Sequence, residues 1–333
     1  MNLTNMCCDG WLHNPPISSL AISIEHSQVP KDSLVDQEKR VTIYLTSRQQ
    51  RALNHGQPGM FQRLGRVFQT AGWRFDVRPE AERHQMADMP GYHLVVNRDC
   101  TSPFCLNLRN AYLPDFWRIE DSNDRWNFSV ADRKFEPDLI NRRRAAEFIE
   151  RWRPKAMRMP SRDGFIFIPL QGVLRRKRHF QVMSPIDMIK TTLAADPHRP
   201  VTATLHPRET YNEDDLTALA KIIAEEPRFF LSREHSEDLV RRCDYVVTEN
   251  SGLAFIGSFA EKPAVLFAQI DFHHIARPVS ALGVEAAFDG IGDYRPDFSR
   301  YLVWFLRWQA IAYFADDAEE RIVARLREHH WPI

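Results

Sequence analysis

The stretch YVVTENSGLAFIGSFAEKPAVLFA (residues 245–268) reads as a strand, a polar turn, a helix and a second strand. Its two strands, YVVT and AVLFA, are continuous apolar runs of the kind that parallel sheets bury on both faces. Three similar runs precede it and alternate with helical patterns: FIFIPL (165–170), VTATL (201–205) and RFFL (228–231). Strands that alternate with helices over about a hundred residues predict a doubly wound α/β domain.

A second rhythm of the same kind lies in the first half of the chain. Its apolar runs are VTIYL (41–45), FDV (75–77) and HLVVN (93–97). Apolar residues from Met60 to Ala71 fall on one helical face, and Gly72 follows as a helix-ending glycine. This pattern predicts another open sheet with parallel strands. Residues 98–140 are rich in Arg, Asn and aromatic side chains, and we interpret them as loops that face a cleft.

Composition places the chain among ordinary globular proteins. Its 333 residues carry 44 Lys and Arg against 44 Asp and Glu, so net charge gives no argument for a nucleic-acid partner, and none is expected. No window approaches the roughly 18 consecutive apolar residues of a membrane-spanning helix. Residues 1–16 lack the basic start and apolar core of a secretory signal. The five cysteines are odd in number, which favours free thiols. We therefore expect a cytoplasmic protein.

Polar side chains follow the first, second, fourth and fifth strands predicted in the second half of the chain. In open α/β sheets, ligands bind at this carboxyl edge. The groups are Gln171 and Gly172 after the first strand, His206 and Pro207 after the second, Glu249, Asn250, Ser251 and Gly252 after the fourth, and Gln269, Asp271, His273 and His274 after the fifth. Their convergence predicts a ligand site at this edge.

The turn Asn250–Ser251–Gly252 has chemistry suited to an anion. Ser251 would sit at the start of a helix, where free backbone N–H groups and the positive end of the helix dipole favour a phosphate. The alternative is that Asn250 or Ser251 only caps that helix. His206 has a similar alternative, because a histidine after a strand often just bonds a backbone group. Each motif is weak alone, and their pairing favours the ligand site.

These motifs also carry a family likeness. FIFIPLQ, SPIDMI, TLHPRE and YVVTENSGLAFIGSFAEKPAVLF together resemble the capsule polysaccharide biosynthesis family. That family contains Kdo transferases of the GT-B fold and shares its nucleotide-site logic with bacterial sialyltransferases. There, a His-Pro motif and a Ser motif at a helix start bind the phosphate and nucleotide of a CMP-sugar. By this resemblance, His206 with Pro207 matches the first motif and Ser251 with Gly252 the second.

The resemblance implies an α/β protein with two Rossmann-like, doubly wound domains of the GT-B type and C-terminal helices that pack back on the first domain. The expected divisions are an N-terminal arm (1–38), an acceptor-side domain (39–155), a nucleotide-sugar-binding domain (163–295) and C-terminal helices (296–333), with a linker at 153–164. Gln171, Glu249 and Asn250 join the two motifs in the predicted donor site. The nucleotide-sugar, favoured to be CMP-linked, is a substrate, and no separate cofactor is expected.

The implied activity is transfer of a sugar from this donor to a surface-polysaccharide or other glycan acceptor. Peripheral association with a membrane stays open, as does the oligomeric state. Members of the family often carry an Asp shortly after the PLQ strand, whereas this chain has Gly172 to Lys177 there and a basic run up to Arg178. That departure keeps two alternatives open: a catalytically degenerate GT-B protein that binds glycan or nucleotide, and a GT-B nucleotide-sugar epimerase.

Glycosyl transfer needs charge stabilisation at the leaving phosphate and often a base for the acceptor hydroxyl. His206, Ser251 and the helix dipole can stabilise the phosphate without a metal. The first domain must then supply the base, and the candidates in its loops are Asp99, Glu120 and Asp121. Asp271 with the adjacent His273 and His274 lacks a clear fourth ligand. No metal site is therefore predicted.

Overall fold

The computed structural model describes residues 39–333, and the predicted N-terminal arm, with Cys7 and Cys8, lies outside them. The strands are β1 (Arg40–Leu45), β2 (Arg74–Pro79), β3 (Tyr92–Val96), β4 (Cys105–Asn110), β5 (Phe116–Glu120), β6 (Ile166–Leu170), β7 (Val201–Leu205), β8 (Phe229–Leu231), β9 (Tyr245–Thr248), β10 (Ala264–Leu266), β11 (Arg277–Pro278) and β12 (Ile311–Ala312). The α-helices are α1 (Ser47–Asn54), α2 (Met60–Thr70), α3 (Ser129–Asp132), α4 (Arg142–Trp152), α5 (Pro185–Ala195), α6 (Glu213–Glu225), α7 (Ser236–Arg242), α8 (Gly252–Gly257), α9 (Val279–Phe288), α10 (Phe298–Val303) and α11 (Ala318–Glu328).

The second sheet is parallel throughout, with strand order β11-β10-β9-β6-β7-β8. Numbered from β6, this is the 3-2-1-4-5-6 order of a doubly wound dinucleotide-binding sheet. The strand order reverses between β6 and β9, and a crevice opens at such a switch point. Ser184 caps α5 by accepting from the backbone N–H of Asp187, and Pro185 occupies the first helical position, as predicted. The predicted doubly wound α/β class is confirmed.

The first sheet has the order β12-β5-β4-β3-β1-β2 and is mixed, whereas the sequence predicted only parallel strands. Its antiparallel part is the pair of strands β4 and β5, joined by a tight turn in which the N–H of Ala111 donates to the carbonyl of Phe116 (2.8 Å). Strand β12 then pairs antiparallel with β5. Both β4 and β5 fall within residues 98–140, which we had interpreted as loops.

The end of the chain returns to the first sheet, as predicted. Helix α11 packs on α2, and α10 packs on α4. Ile322 and Leu326 of α11 are fully buried in one apolar cluster with Leu64 and Phe68 of α2. Arg325 on the same helix reaches β5, where its Nη2 pairs with Glu120 Oε2 at 2.5 Å. The first domain is therefore built from both ends of the described chain.

A single apolar cluster joins the two halves of the molecule. It contains Phe116 of the first sheet, Phe255 of α8 and Tyr301 of α10, all buried. The linker region is tied down as well, because Met157 is fully buried and the buried Lys262 donates to the carbonyls of Ser161 and Cys243. Large apolar contacts of this kind restrict relative motion of domains. Among residues 39–333, no helix combines the length and apolar character needed to cross a bilayer.

Candidate functional site

A cavity of about 620 Å³ opens at the carboxyl edge of the second sheet. It lies where β6, β7 and β9 end, beside the switch point between β6 and β9. Its walls are Ala156, Pro169, Leu170, Gln171, Thr204, His206, Pro207, His235, Ser236, Glu237, Asp238, Ser251, Gly252 and Leu253. Five of the seven predicted donor-site residues are thus brought together: Gln171, His206, Pro207, Ser251 and Gly252. This volume is typical of a site for a small organic ligand.

His206 is held in one orientation by the loop that follows β7. Its backbone N–H donates to the hydroxyl of Tyr211 (2.9 Å), which also reaches the carbonyl of Leu170 at the end of β6 (3.4 Å). The backbone N–H of Arg208 donates to Nδ1 of the His206 ring (3.2 Å). Because Nδ1 accepts, the neutral ring carries its proton on Nε2. His206 can therefore offer an N–H donor to a ligand in the cavity.

Ser251 both caps a helix and lies on the cavity wall. Its Oγ accepts from the backbone N–H of Leu253 (3.3 Å), so it caps α8, and its own N–H donates to Thr248 Oγ1 (3.3 Å). The same side chain lines the cavity. A hydroxyl that accepts one bond still has a proton to donate. Helix capping and ligand binding are thus compatible at this residue.

A further part of the cavity wall comes from the first turn of α7, which the sequence analysis missed. Ser236, Glu237 and Asp238 line the cavity, and Ser236 Oγ lies 3.0 Å from Thr204 Oγ1. This segment begins at Ser236, shortly after β8 ends at Leu231, and no residue after that strand was among the predicted groups. The rule that located His206 would have found it. The wall adds two carboxylates and a paired hydroxyl to the predicted groups.

Glu249 and Asn250, the other two predicted donor-site residues, do not line the cavity. Glu249 is 3% exposed and lies behind it, where Oε2 accepts from Arg178 Nη2 (3.3 Å) and Oε1 accepts from Gln181. Burial raises the pKa of this carboxyl to about 7, although Arg178 acts in the opposite direction. Arg178 belongs to the basic run after β6, so Glu249 anchors that loop.

Glu249 is expected to make stability fall as pH rises through the acid range. Its pKa is about 7 in the folded protein and about 4.3 in an unfolded chain, so the folded state binds more protons between these values. The favourable contribution is complete below about pH 4 and lost by about pH 7. Glu249→Gln should remove on the order of 2 kcal/mol of this pH dependence, measured by urea unfolding from pH 5 to 8. Glu225→Gln, at an exposed pair, is the control, and equal slopes for both variants would contradict the assignment.

The three candidates for the base lie outside the cavity walls. Glu120 is 2% exposed, pairs with Arg325 and accepts from the backbone N–H of Ser129 (3.3 Å). Burial raises the pKa of Glu120, opposed by Arg325 and Arg118. Asp99 and Asp121 are exposed in loops of the first domain. Removal of the acceptor proton by any of these carboxylates stays a prediction.

The polar residues after β10 each bond a different partner and do not form one cluster. His273 Nδ1 contacts the carbonyl of Ile270 (2.9 Å), while His274 lies between the Tyr301 hydroxyl (3.1 Å) and the carbonyl of Arg133 (3.0 Å). Asp271 accepts from the hydroxyl of Tyr112 instead. Within residues 39–333, no group of three or more His, Cys, Asp or Glu side chains is arranged to hold a metal ion.

The chain matches no protein-family model, and no curated protein matches it significantly. It is similar to the solved structure of the KpsC β-Kdo 2,7-transferase of Thermosulfurimonas dismutans, with 14% identity and a TM-score of 0.48 over 88% of this chain and 100% of that one. A second such structure is the KpsC β-Kdo 2,4-transferase of the same organism, with 12% identity and a TM-score of 0.38 over 73% and 84%. A third is MnaA of S. aureus bound to UDP, with 11% identity and a TM-score of 0.35 over 87% and 96%. Likeness at this level transfers no residue role.

Proposed function

We propose that this chain is a GT-B-type glycosyltransferase that binds a nucleotide-sugar in the cavity at the carboxyl edge of the second sheet. The observation that carries the proposal is the meeting of His206, Ser251 and Gly252 at a cavity of about 620 Å³ beside the topological switch point. A cavity of that size accommodates a nucleotide, and its position is where doubly wound sheets bind one.

The polarity of the cavity favours a donor with a single phosphate. Its described walls contain no Lys or Arg, and they carry the carboxylates of Glu237 and Asp238. A diphosphate-linked sugar brings more negative charge than a monophosphate diester, and these carboxylates would repel it. The same carboxylates can accept hydrogen bonds from the hydroxyl and amino groups of a nucleoside. The proposed donor is therefore CMP-linked, with its phosphate toward Ser251 and its nucleoside toward α7.

The proposed chemistry uses donors that are already in place. When the glycosidic bond to the donor phosphate breaks, the phosphate gains negative charge. His206 Nε2–H and the Ser251 hydroxyl would donate to it, and such preorganised donors stabilise developing charge strongly. We propose that this stabilisation needs no metal ion. The acceptor, a glycan hydroxyl, would enter from the side of the first domain.

A second candidate function has one observation in its favour. Among the residues that line the cavity, the carboxylates come from α7 and none comes from the first domain. A protein that binds a nucleotide or glycan without turnover would need no base facing Ser251. Release of CMP from a CMP-sugar in the presence of a glycan acceptor would support the enzyme. Binding without release across a panel of acceptors would support the binding protein.

His206→Ala is expected to weaken CMP binding by roughly 1–3 kcal/mol, since it removes a hydrogen bond to a charged group. Calorimetric titration with CMP and UDP measures this change and the preference for CMP. The melting temperature should stay near that of the parent, because the side chain lies at the end of a strand and contributes little to the core. His198→Ala, at an exposed position of the same domain, is the matched control.

Two results would count against this proposal. If the parent protein binds no nucleotide or nucleotide-sugar at millimolar concentrations, the cavity is not a nucleotide site. If His206→Ala unfolds the protein, the histidine is structural and its role at the phosphate is wrong.

A further inference from the structure

Tyr112 lies at the tip of the turn between β4 and β5 with an unusual backbone conformation. Its φ is +68°, and the N–H of Leu113 donates to the carbonyl of Ala111 across it (2.9 Å). A three-residue turn with positive φ is rare and strained, and more so for a bulky side chain. This strain must be compensated by what the side chain contacts. The ring that Tyr112 stacks on and the carboxylate that its hydroxyl contacts both lie in the other domain.

The ring of Tyr112 packs directly against the start of α8. It stacks on Phe255 with 4.5 Å between ring centroids and 23° between planes. A Cβ atom placed on Gly252 would come within 3.0 Å of its Cδ1. On the first-domain side, the guanidinium of Arg125 lies 4.1 Å from the ring centroid. Gly252 therefore lies between the cavity, whose wall it forms, and the ring of Tyr112 from the first domain.

The hydroxyl of Tyr112 is fixed by a buried carboxylate. It donates to Asp271 Oδ1 at 2.5 Å, and Asp271, which follows β10, has no exposed surface. Asp271 Oδ2 has no hydrogen-bond partner among the described residues, and its nearest cation, Arg125 Nη1, is 3.7 Å away. Loss of the Tyr112 hydroxyl would leave this carboxylate without a hydrogen bond. The tyrosine is thus held at both its ring and its hydroxyl.

We propose that Tyr112 is a positioning residue that holds the Ser251–Gly252 wall of the cavity from behind. The wall keeps the shape that binds a nucleotide only while the first domain is docked through this side chain. Donor affinity in the second domain is thereby coupled to the acceptor-side domain. The nucleotide part of this inference rests on the proposed function, whereas the packing part does not.

A double-mutant cycle distinguishes two reasons for a glycine at position 252. The first is contact with the Tyr112 ring, as proposed, and the second is close approach of the phosphate alone. Gly252→Ala places a Cβ against the ring of Tyr112, and it should weaken CMP binding about tenfold. Tyr112→Ala should weaken binding by a similar factor, and the double variant should be no weaker than Tyr112→Ala alone. If the bare glycine is needed only for the phosphate, Gly252→Ala costs the same factor in both backgrounds. That additive outcome would overturn the proposal.

The hydroxyl is tested by Tyr112→Phe, which keeps the ring. Its affinity for CMP should fall several-fold, because Asp271 loses its hydrogen bond. Tyr294 supplies the matched control, since its ring also lies beneath an arginine, with Arg277 4.7 Å from the centroid, but it packs against the core of the second domain. Tyr294→Phe and Tyr294→Ala should bind CMP like the parent. Equal losses at the two tyrosines would reduce Tyr112 to an ordinary packing residue.

Amide hydrogen exchange tests the packing without any nucleotide. Residues 251–257 should exchange faster in Tyr112→Ala than in Tyr294→Ala or the parent. Unchanged exchange would overturn the proposal, whatever the cavity binds. Absence of nucleotide binding by the parent would instead refute the proposed function and leave the exchange result to decide the role of Tyr112. If Tyr112→Ala fails to fold, Tyr112→Leu, which removes the aromatic ring but keeps an apolar side chain, gives the decision by the same measurement.

Discussion

Replacing Arg325 with Leu is expected to lower the free energy of unfolding by roughly 3–5 kcal/mol, the cost of breaking a buried ion pair on one side. Glu120 is almost fully buried, and Arg325 is the cation that compensates its charge. The same guanidinium donates from Nε to the carbonyl of Ile119 (2.8 Å), so the substitution also removes a hydrogen bond to the backbone. Urea unfolding at pH 7 measures the loss.

Two further variants serve as controls for this experiment. Arg327→Leu changes an exposed position of the same helix and should cost no more than about 0.5 kcal/mol. Glu120→Leu combined with Arg325→Leu should recover much of the loss, because removing both charges leaves no uncompensated carboxylate. A protein with Arg325→Leu as stable as the one with Arg327→Leu would show that Glu120 is not held by this pair. Glu120 would then regain interest as a base.

Gly252→Val is expected to weaken CMP binding about 100-fold or more, whereas Ser251→Ala should cost only about 1 kcal/mol. Valine would add a branched side chain where even a Cβ comes within 3.0 Å of Tyr112, and it would intrude on the cavity wall. Ser251→Ala removes one hydroxyl but leaves the backbone N–H groups of the turn. Calorimetric titration with CMP gives both values.

The control for this pair is Gly59→Val. Gly59 has an extended backbone, and a Cβ there would meet only the carbonyl oxygen of Gln57 at 3.9 Å, so the backbone and the Cβ of a valine are accommodated. Parent-like binding by both Gly252→Val and Ser251→Ala would make the turn an ordinary helix cap. The phosphate would then have to be sought elsewhere, beginning with the basic run Arg175–Arg178.

The second domain could be predicted from sequence because its strands bury both faces. Runs such as FIFIPL and YVVT are continuous in apolar residues, and the structure places strands at 166–170 and 245–248. The same logic located the cavity, since a parallel sheet with this order binds at its carboxyl edge. His206 and Ser251 could be located from local sequence, since His206 directly follows β7 and Ser251 lies three residues after the end of β9.

The strands β4 and β5 were missed because their buried polar residues find partners far away in sequence. Arg118 is buried in β5 and donates to the carbonyl of Gln309, 191 residues later (2.6 Å), and Glu120 pairs with Arg325. Asn107 in β4 is also fully buried, although its partner is nearer, since it donates to the carbonyl of Ser122, 15 residues later (3.1 Å). In the sequence by itself, polar residues such as these are typical of a loop. Hydrophobic periodicity reports only on neighbouring residues and cannot reveal a partner so distant in sequence. For that reason neither the antiparallel strand pair nor Tyr112 in its turn could be predicted.

The return of α11 to the first sheet has a consequence for how the protein is made. The apolar surface of α2 is covered by residues such as Ile322 and Leu326, and Trp331 packs on Phe68 and Tyr92. These residues leave the ribosome roughly 200 positions after β5, which at ordinary elongation rates is a delay of roughly 10–40 s. During that interval the nascent first domain keeps an open apolar face while the second domain, whose sheet is contiguous in sequence, can close. The half synthesised first is thus the half completed last, and its exposed face is where a chaperone would act.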